Sequence, residues 1–322
     1  MSMIEKEFPY LSNLSFIKNI SNTSDTIYIH GASGVGKTHL GWCIYKDSER
    51  SNNKFLAVNL ASIPEQLFES ELFGHTKGSF TGATTEKTGV LASLDKGTVV
   101  LEDIADISIP SQAKLLSFLD SSLIRPVGGL NTKSVDVKII VTSNKDLQAE
   151  IRKGKFKEDL YYRLVNGFSV KIDQIATIEF NQFKQVFWRI VRSLEDKYRN
   201  EVFNGTLVPL SVPDDILIQI QNTVIGNYRG LSSLIKYLIL NQFGTITTEI
   251  LPDELVKHTP STTLKCALQS KTKDHILSIL ERNNNNLTST AEELGVSRNT
   301  LYKLLKEHSI TVNISKKVTE GI

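Results

Sequence analysis

Gly31-Ala32-Ser33-Gly34-Val35-Gly36-Lys37-Thr38 is the stretch that decides the fold, because it fits the pattern G-x-x-x-x-G-K-[ST] in full. It lies between the apolar segment Thr26–His30 and the helix-forming segment His39–Tyr45, which predicts a strand, a loop and a helix in that order. The glycines let backbone N–H groups approach phosphate oxygens, and the following helix directs its positive N-terminal end towards them. Lys37 suits the outer phosphates and the Thr38 hydroxyl suits Mg²⁺. The sequence therefore predicts binding of a nucleoside triphosphate; a chance glycine turn is the alternative.

Composition bounds the class of protein. The chain has 322 residues, of which 40% are hydrophobic, and a formal net charge of +2. This predicts two or three units with a real core, and the charge alone does not indicate nucleic acid. Cys43 and Cys266 match no metal spacing and are typical of reduced, buried thiols. No signal-peptide pattern and no apolar run of membrane-spanning length are present, so we expect a soluble cytoplasmic protein with no membrane partner.

Short β-branched runs alternate with helical stretches over about residues 25–175. Near-continuous apolar strands separated by helices predict an α/β fold, with a parallel sheet covered by helices on both faces. From about residue 179 the apolar residues recur at three- and four-residue steps, which predicts helices. The predicted strands are Thr26–His30, Phe55–Asn59, Thr98–Leu101, Val137–Thr142 and Phe168–Ile172.

A second phosphate-site element is expected to follow an apolar strand and to end in acids. The run Thr98-Val-Val-Leu101 is followed by Glu102 and Asp103. One carboxylate would hold Mg²⁺, and the next would polarise the attacking water.

Three further motifs resemble one family. Glu69–Ala83 looks like the signature of the AAA+ activators of sigma-54 RNA polymerase, the bacterial enhancer-binding proteins, whose hallmark loop G-A-F-T-G-A is here Gly78-Ser79-Phe80-Thr81-Gly82-Ala83. Gly154–Leu164 matches the family's G-x-F-R-x-D-L-Y-Y-R-L, and Gly226–Leu231 resembles its G-N-V-R-E-L. The resemblance covers roughly residues 8–310. It implies an AAA+ P-loop NTPase that binds ATP with Mg²⁺ and assembles from dimers into a ring, by family resemblance a hexamer.

The resemblance also assigns roles to particular residues. Asn59 would sense the catalytic acid, Asn144 would be the first sensor of the γ-phosphate, and Arg229 would be the second sensor, on a helical lid. Lys157 and Arg163, with Asp159 nearby, would complete the site of a neighbouring subunit. Thr38 and Glu102 would hold the metal.

The residues of the hallmark loop also predict a role for it without the family resemblance. Gly78 and Gly82 bracket Phe80-Thr81, and an apolar tip between flexible hinges suits insertion into a partner surface. The alternative is that Phe80 anchors an ordinary loop in the core. With the family match we expect the loop to contact sigma-54, and Ser79 in place of alanine to preserve that contact.

Three departures from the family pattern bear on hydrolysis. The acids run Glu102 then Asp103 instead of Asp then Glu, a displacement that can cost about a hundredfold in rate. Lys157 replaces an arginine finger, and such arginines are worth roughly 10³–10⁵ in rate. Lys171–Thr177 replaces an arginine-rich segment. We therefore predict slow hydrolysis with binding intact; complete loss of hydrolysis is the alternative.

The C-terminal region predicts a helix-turn-helix. Helices are expected over Asp274–Arg282, Leu287–Leu294 and Arg298–Lys306, with Gly295 ending one helix and Ser297 capping the next. The run from Ala291 to Tyr302 resembles the Fis-type DNA-binding domain, whose DNA-bound form is a dimer. A three-helix interaction module is the alternative. The expected contacts to double-stranded DNA are Ser297, Arg298, Asn299, Thr300, Tyr302 and Lys303.

These observations combine into one expected organisation. Residues 1–178 form the ATPase subdomain, 179–245 the helical lid, 246–270 a linker, 271–312 the helix-turn-helix and 313–322 a tail. We expect a bacterial transcription activator. Only about 20 residues precede the first strand, so we expect no receiver domain, and regulation either by an inhibitory or co-activating protein acting in trans or by expression level. A hydrolysis-deficient DNA-binding regulator and a metabolic P-loop kinase are the rivals.

Overall fold

The computed structural model describes residues 2–11, 13–203, 205–241, 244–246, 250–252, 279–280, 282–283, 287–294 and 301. The chain divides into two compact units, Met1–Lys257 and His258–Ile322. The first unit carries an α/β sheet and a group of helices that follows it. The second carries the described C-terminal helix.

Five described strands form the main sheet, and all of them run parallel. The strands are β1 (Ile27–His30), β2 (Phe55–Asn59), β3 (Thr98–Glu102), β4 (Lys138–Ser143) and β5 (Phe168–Lys171). Their order across the sheet is β2-β3-β4-β1-β5, so β1 lies between β4 and β5, with Ile27 opposite both Ile140 and Phe168. Each predicted strand is present within one residue of its expected bounds, and the predicted parallel sheet is confirmed.

Alternate residues of the strands supply two hydrophobic cores, one on each face of the sheet. In β3, Val100 faces one core while Val99 and Leu101 face the other. In β4, Ile140 faces the first core and Ile139 the second. Because both faces are covered by helices, the strands are apolar on both sides and read as continuous runs in the sequence.

The helices of the first unit fall into two groups by the hydrophobic core against which they pack. They are α1 (Met3–Glu7), α2 (Leu14–Ser21), α3 (Lys37–Lys46), α4 (Glu65–Phe73), α5 (Val90–Ser93), α6 (Ile109–Ser121), α7 (Leu147–Arg152), α8 (Glu158–Val165), α9 (Phe180–Glu201), α10 (Asp214–Thr223) and α11 (Asn227–Leu240). Residues of α1–α3 and α9–α11 contribute to the first core, whereas residues of α4–α8 contribute to the second.

Side-chain caps fix where two of these helices begin. The Ser108 hydroxyl accepts the N–H of Ser111 at the start of α6, and Asp146 Oδ1 accepts the N–H of Gln148 at 2.9 Å at the start of α7. Each cap satisfies a backbone N–H that the first helical turn leaves without a partner. The caps thus set the first residues of α6 and α7, the helices that follow β3 and β4 at the carboxyl edge of the sheet.

The lid helices bear out the helical periodicity expected after residue 179. Phe183, Val186 and Phe187 lie on the buried side of α9. Gln221 of α10 fastens this group to the segment after β5, because its Nε2 donates to Ile175 O at 3.1 Å and to Ile178 O at 2.8 Å. That segment stands where the family has its arginine-rich sequence.

Lys138 is a buried cation at the amino end of β4. Its Nζ donates to the carbonyl oxygens of Ile20, Thr23 and Asp25 at 3.1, 2.6 and 2.8 Å. These carbonyls lie at and beyond the C-terminal end of α2, where backbone acceptors lack helical partners. Burial lowers the pKa of Lys138 to about 8. Lys138 thereby fixes α2 to the sheet.

The second unit contains α12 (Leu287–Glu293), close to the predicted helix over 287–294. Ile279, Leu280, Leu287, Ala291 and Leu301 are buried. Arg282 Nη1 pairs with Glu293 Oε1 at 3.1 Å. The predicted DNA contacts Ser297, Arg298, Asn299, Thr300, Tyr302 and Lys303 lie outside the described residues, as do Cys266 and most of the helices expected over 274–282 and 298–306. Within the described part of the chain, no helix combines the length and apolar character that crossing a bilayer requires.

Candidate nucleotide site and contact loop

The loop Gly31–Thr38 joins β1 to α3, as the sequence predicts. Gly34 and Gly36 have φ of +77° and +94°, a left-handed conformation that glycine adopts without strain. A Cβ on Gly34 would lie only 2.2 Å from the carbonyl oxygen of Gly226, at the start of α11. The loop therefore needs glycine both for its turn and for the close approach of the lid.

Lys37 lies at the centre of this loop. Its Nζ donates to the carbonyl oxygens of Gly31 and Ala32 at 3.0 and 2.9 Å. Burial lowers the pKa of Lys37, and the nearby charge of Asp103 works in the opposite direction. The ammonium group thus holds the loop around itself and presents positive charge to the cavity beside it.

A cavity of about 800 Å³ opens beside the loop at the carboxyl edge of the sheet. Six predicted phosphate-site residues from Ser33 to Thr38 line it, together with Asn59, Glu102, Asp103, Asn144 and Arg229. Gly31 and Ala32 contribute through their carbonyl groups, as described for Lys37. The sequence-predicted cis residues are therefore brought to one place by the parallel sheet.

The Thr38 hydroxyl contacts the Glu102 carboxylate. A hydroxyl and a carboxylate are hard oxygen donors, and Mg²⁺ in phosphate sites is held by one or two such groups, with substrate phosphates and waters completing the shell. The pair thus fits Mg²⁺. Among the residues that the structure describes, no group of three His, Cys, Asp or Glu side chains forms a self-contained metal site.

Asp103 takes an unusual backbone conformation for a non-glycine residue, with φ +56° and ψ +47°. Aspartate tolerates this left-handed region better than most residues. Asn59 Nδ2 donates to Asp103 Oδ2 at 3.3 Å, and Asn59 Oδ1 accepts the N–H of Ser62 at 3.2 Å. Asn59 is therefore held by its own turn while it contacts the second acid.

Asn227 joins the lid to the phosphate loop, and sequence reasoning gave it no role. Its Nδ2 donates to Ser33 O at 2.9 Å, and its Oδ1 accepts the N–H of Ile175 at 3.2 Å. The neighbouring Arg229 N–H points to Gly34 O at 3.4 Å. The signal was present in the Gly226–Leu231 motif, in which Asn227 matches the family pattern. Only the structure reveals that it bridges two segments.

Aromatic rings line part of the cavity. Tyr10 stacks on Tyr228 with ring centroids 5.7 Å apart, and Phe8 packs against His39 at 5.6 Å. Phe8, His39 and Tyr228 line the cavity. Flat apolar surface of this kind suits the base of a nucleotide whose phosphates lie on the loop. Sequence reasoning missed these residues because they come from separate elements.

Lys157 and Arg163 lie on α8 or at its start, and neither is among the residues that line the described cavity of their own chain. Arg163 Nε donates to Asp120 Oδ1 at 2.9 Å and its Nη2 to Leu119 O at 2.6 Å. The structure thus places these two predicted catalytic residues apart from the cis set.

The hallmark loop projects from a short hairpin, in which Gly74–His75 pairs antiparallel with Lys87–Thr88. Two backbone bonds close its tip: Gly78 N–H to Ala83 O at 2.8 Å and Ala83 N–H to Phe80 O at 3.0 Å. Gly78 and Gly82 have φ of +79° and +100°, with open space where a Cβ would lie. Both predicted hinges are therefore left-handed turns that glycine favours.

Phe80 is 41% exposed, so it does not anchor the loop in the core. Its ring meets the buried His75 edge-on, with centroids 5.0 Å apart. His75 Nε2 donates to Thr85 O at 3.1 Å, and its Nδ1 accepts from the Ser70 hydroxyl at 2.8 Å, since a carbonyl accepts only. His75 thus clamps both stems of the loop beneath Phe80.

Two family models match this chain, one in each of its two units. Residues 3–171 match the model of the sigma-54 interaction domain. The chain belongs to the sigma-54 interaction domain family. Residues 273–308 match the model described as bacterial regulatory protein, Fis family. The resemblance expected from the sequence is confirmed, as are the AAA+ fold class and a C-terminal Fis-type helix-turn-helix.

Relatives cover this chain well but are longer. It is 32% identical to regulatory protein AtoC of Escherichia coli (strain K12) over 90% of this chain and 64% of that protein. It is 35% identical to the Nif-specific regulatory protein of Azotobacter vinelandii over 73% of this chain and 43% of the relative. The crystal structure of NtrX from Brucella abortus in complex with ATP aligns with a TM-score of 0.63 and 26% identity, over 92% of this chain and 66% of the other. The chain thus spans between 43% and 66% of the length of these relatives.

One departure from the family motif has a steric reason. Gly230 stands where G-N-V-R-E-L has glutamate, and a Cβ there would lie 1.6 Å from the carbonyl oxygen of Ile225. Asn227, three residues before Gly230, is left-handed, with φ +54°. The tight entry into α11 therefore excludes a side chain at Gly230 in this member of the family.

Proposed function

We propose that this protein is an ATP-driven activator of sigma-54 RNA polymerase that is held on upstream double-stranded DNA by its C-terminal helix-turn-helix. The observation that carries the proposal is the pairing, within one domain, of a phosphate-loop cavity with an exposed loop tipped by Phe80. Family membership and the Fis-type match support the same reading. In this proposal residues 1–178 are the ATPase subdomain, 179–245 the lid and 271–312 the DNA-binding domain.

Each of the predicted residues around the cavity has a separate role in ATP hydrolysis. Lys37 binds the outer phosphates, while Thr38 and Glu102 hold Mg²⁺, which neutralises charge on those phosphates when bound. Asp103 polarises the attacking water, and Asn59 holds that carboxylate. Two further side chains, Asn144 and Arg229, sense the γ-phosphate from β4 and from the lid.

Neighbouring protomers complete one another's sites in a ring, for which we propose six subunits. Lys157 and Arg163 are donated from one protomer to the next. An ammonium group binds phosphate oxygens less specifically than a planar guanidinium does. Lys157 therefore stabilises the charge on the transferred phosphate less well than an arginine finger would. Together with the reversed order of Glu102 and Asp103, it makes hydrolysis slow while ATP binding stays intact.

The hydrolysis cycle acts on sigma-54 through the hallmark loop, residues Gly78, Ser79, Phe80, Thr81, Gly82 and Ala83. The two left-handed glycine turns leave the tip free to pivot above the His75 clamp. A ligand moves such an equilibrium only as far as its affinities for the two states differ. The exposed and retracted positions of the loop must therefore bind ATP and ADP differently. DNA is contacted by Ser297, Arg298, Asn299, Thr300, Tyr302 and Lys303, and the protein works in the bacterial cytoplasm.

Co-elution with sigma-54 tests this proposal. We expect a complex on size exclusion when the protein is loaded with ADP–aluminium fluoride, and none with ADP alone. Phe80→Ala should abolish the complex without changing nucleotide affinity. Ile218→Ala, which removes an apolar side chain of similar exposure (46%) on α10, is the matched control and should retain it. Absence of a complex in every nucleotide state would exclude the proposal.

A hydrolysis-deficient regulator that binds nucleotide and DNA is the second candidate, a repressor or the inactive partner of a mixed ring. It is favoured by the same two features, Lys157 and the order Glu102-Asp103. Zero phosphate release at saturating ATP and DNA, with nucleotide-dependent DNA binding, would select it over the activator.

A further inference from the structure

The carboxamide of Gln112 lies fully buried on α6, between two segments that are distant in the sequence. Its Nε2 donates to Ile107 O at 3.0 Å and to Lys155 O at 2.9 Å. Its Oε1 accepts the N–H of Lys157 at 2.7 Å. The orientation of the amide is fixed by these partners, because two carbonyls require N–H donors and one N–H requires an oxygen.

The hydrogen bonds of Gln112 bridge two segments of the backbone. The first segment, at Ile107, is connected to the acids Glu102 and Asp103. Ile107 directly follows the short turn Ile104–Asp106, which leaves the end of β3. The N–H of Asp106 donates to Asp103 O at 3.0 Å, and Lys145, the residue after Asn144, forms an ion pair with Asp106. The backbone that Gln112 contacts therefore continues from Asp103, and it is also fastened to the segment just after β4 that contains Asn144.

The other end of the bridge holds the segment that carries Lys157. Phe156 is buried in the core between Lys155 and Lys157. Lys157 immediately precedes α8, and its side chain makes no capping bond. Gly154 before it is left-handed with open space around it. The segment 155–157 is thus held by the buried Phe156 ring, by the backbone bond from Lys155 N–H to Glu150 O at 2.9 Å, and by two hydrogen bonds with Gln112.

We propose that Gln112 is the positioning residue for Lys157. It fixes the finger that one protomer donates to its neighbour relative to the turn that follows the catalytic acids of the donor's own site. The inference rests on the trans role of Lys157 in the proposed function. A buried amide with all its partners satisfied makes a rigid link, since breaking any one bond leaves a buried polar group unpaired. Movement at Asp103 in one protomer is thereby passed to the finger that serves the next.

Mixing two defective variants tests the direction of this effect. Gln112→Met removes the three hydrogen bonds at similar side-chain length, while Asp103→Asn disables the protomer's own site and keeps its finger. Each variant alone should hydrolyse ATP at least tenfold more slowly than wild type, and Gln112→Met should keep its KM within twofold. A random equal mixture should recover roughly a quarter of the wild-type kcat, because an intact site then meets an intact finger at one interface in four.

A mixture of Lys157→Ala with Asp103→Asn is the control for the finger itself. Recovery in the control without recovery in the Gln112→Met mixture would overturn the inference and leave the proposed function standing. Failure of both mixtures would overturn the trans finger and the inference together. Circular dichroism and nucleotide affinity establish that each variant is folded. If Gln112→Met does not fold, Gln112→Glu, which keeps the shape and the acceptor but loses both donors, carries the same mixing test.

Discussion

Asn59 Nδ2 lies 3.3 Å from Asp103 Oδ2, across the carboxyl ends of two neighbouring strands. The contact links the edge strand of the sheet to the second acid of the site. It leaves the shorter of the two acids, aspartate, in the place where the family pattern has the longer one. The reach of this carboxylate towards an attacking water is thus one methylene short.

Asp103→Glu should therefore raise the steady-state rate of phosphate release. Restoring the reach should increase kcat by about tenfold or more, since a misplacement of about 1 Å can cost a hundredfold. The left-handed backbone at residue 103 opposes part of this gain, because glutamate adopts it less readily than aspartate. Asp103→Asn is the control and should eliminate hydrolysis with nucleotide affinity retained. A rate equal to or below wild type in Asp103→Glu would refute the argument from reach.

Lys157→Arg should also accelerate hydrolysis. A planar guanidinium bridges two phosphate oxygens, whereas an ammonium acts as a point charge, and a gain of about tenfold or more is expected for a trans finger. Lys153→Arg makes the same chemical change at the end of α7, where the side chain pairs with Glu150, and should leave the rate unchanged. Equal rates for both variants would remove Lys157 from the catalytic set.

Ser79→Ala should stabilise the protein slightly. The Ser79 hydroxyl oxygen is buried and has no hydrogen-bond partner among the described residues. Removing an unpaired buried hydroxyl recovers its desolvation cost, so the free energy of unfolding in urea should rise by about 1 kcal/mol. Ser93→Ala, which removes a hydroxyl bonded to Val90 O at 2.7 Å, should give no such gain. A loss of stability in Ser79→Ala would point to a partner that the loop acquires in solution.

Lys138→Met should be strongly destabilising. It removes the donor for three carbonyl oxygens at the end of α2, and we expect a loss of about 3 kcal/mol in the free energy of unfolding. Lys96→Met is the matched control, because Lys96 is exposed and pairs with Asp136 at 3.1 Å. Its cost should stay below about 1 kcal/mol. Similar losses for the two variants would contradict the anchoring role of Lys138.

Cys43 should resist alkylation in the native state. Burial raises the pKa of its thiol to about 12, so the reactive thiolate is scarce at pH 9. In a Cys266→Ser background, modification at pH 9 should be about a thousandfold slower than in urea, and the native rate should rise as the pH approaches the raised pKa. Equal rates with and without urea would mean that Cys43 is accessible.

The sequence was enough to predict the strands because buried parallel strands are apolar on both sides. Thr98–Leu101 and Val137–Thr142 were therefore found within a residue, and the phosphate loop followed from one pattern. The carboxyl ends of parallel strands meet at one edge, so Asn59, Asp103 and Asn144 also came together as expected. Local sequence patterns of this kind can be recognised without knowing how the elements pack together.

Gln112, His75 and Asn227 were not predicted as bridges. A glutamine within an amphipathic helix reads as a solvated side chain, yet Gln112 is fully buried. Two of its three hydrogen-bond partners are 43 and 45 residues away along the chain. Asn227 likewise reaches Ser33 across 194 residues. Such contacts arise only when separate elements pack, and no local pattern encodes them.

The 2.2 Å approach between a Cβ imagined on Gly34 and the carbonyl of Gly226 has a consequence for how the spent nucleotide leaves. The phosphate loop and the start of α11 meet backbone to backbone, so in the proposed cycle release of ADP would require these two segments to separate. A side chain at Gly34 would hold them apart. Because glycine stands there, the site would close fully, and the rate of opening would then limit turnover.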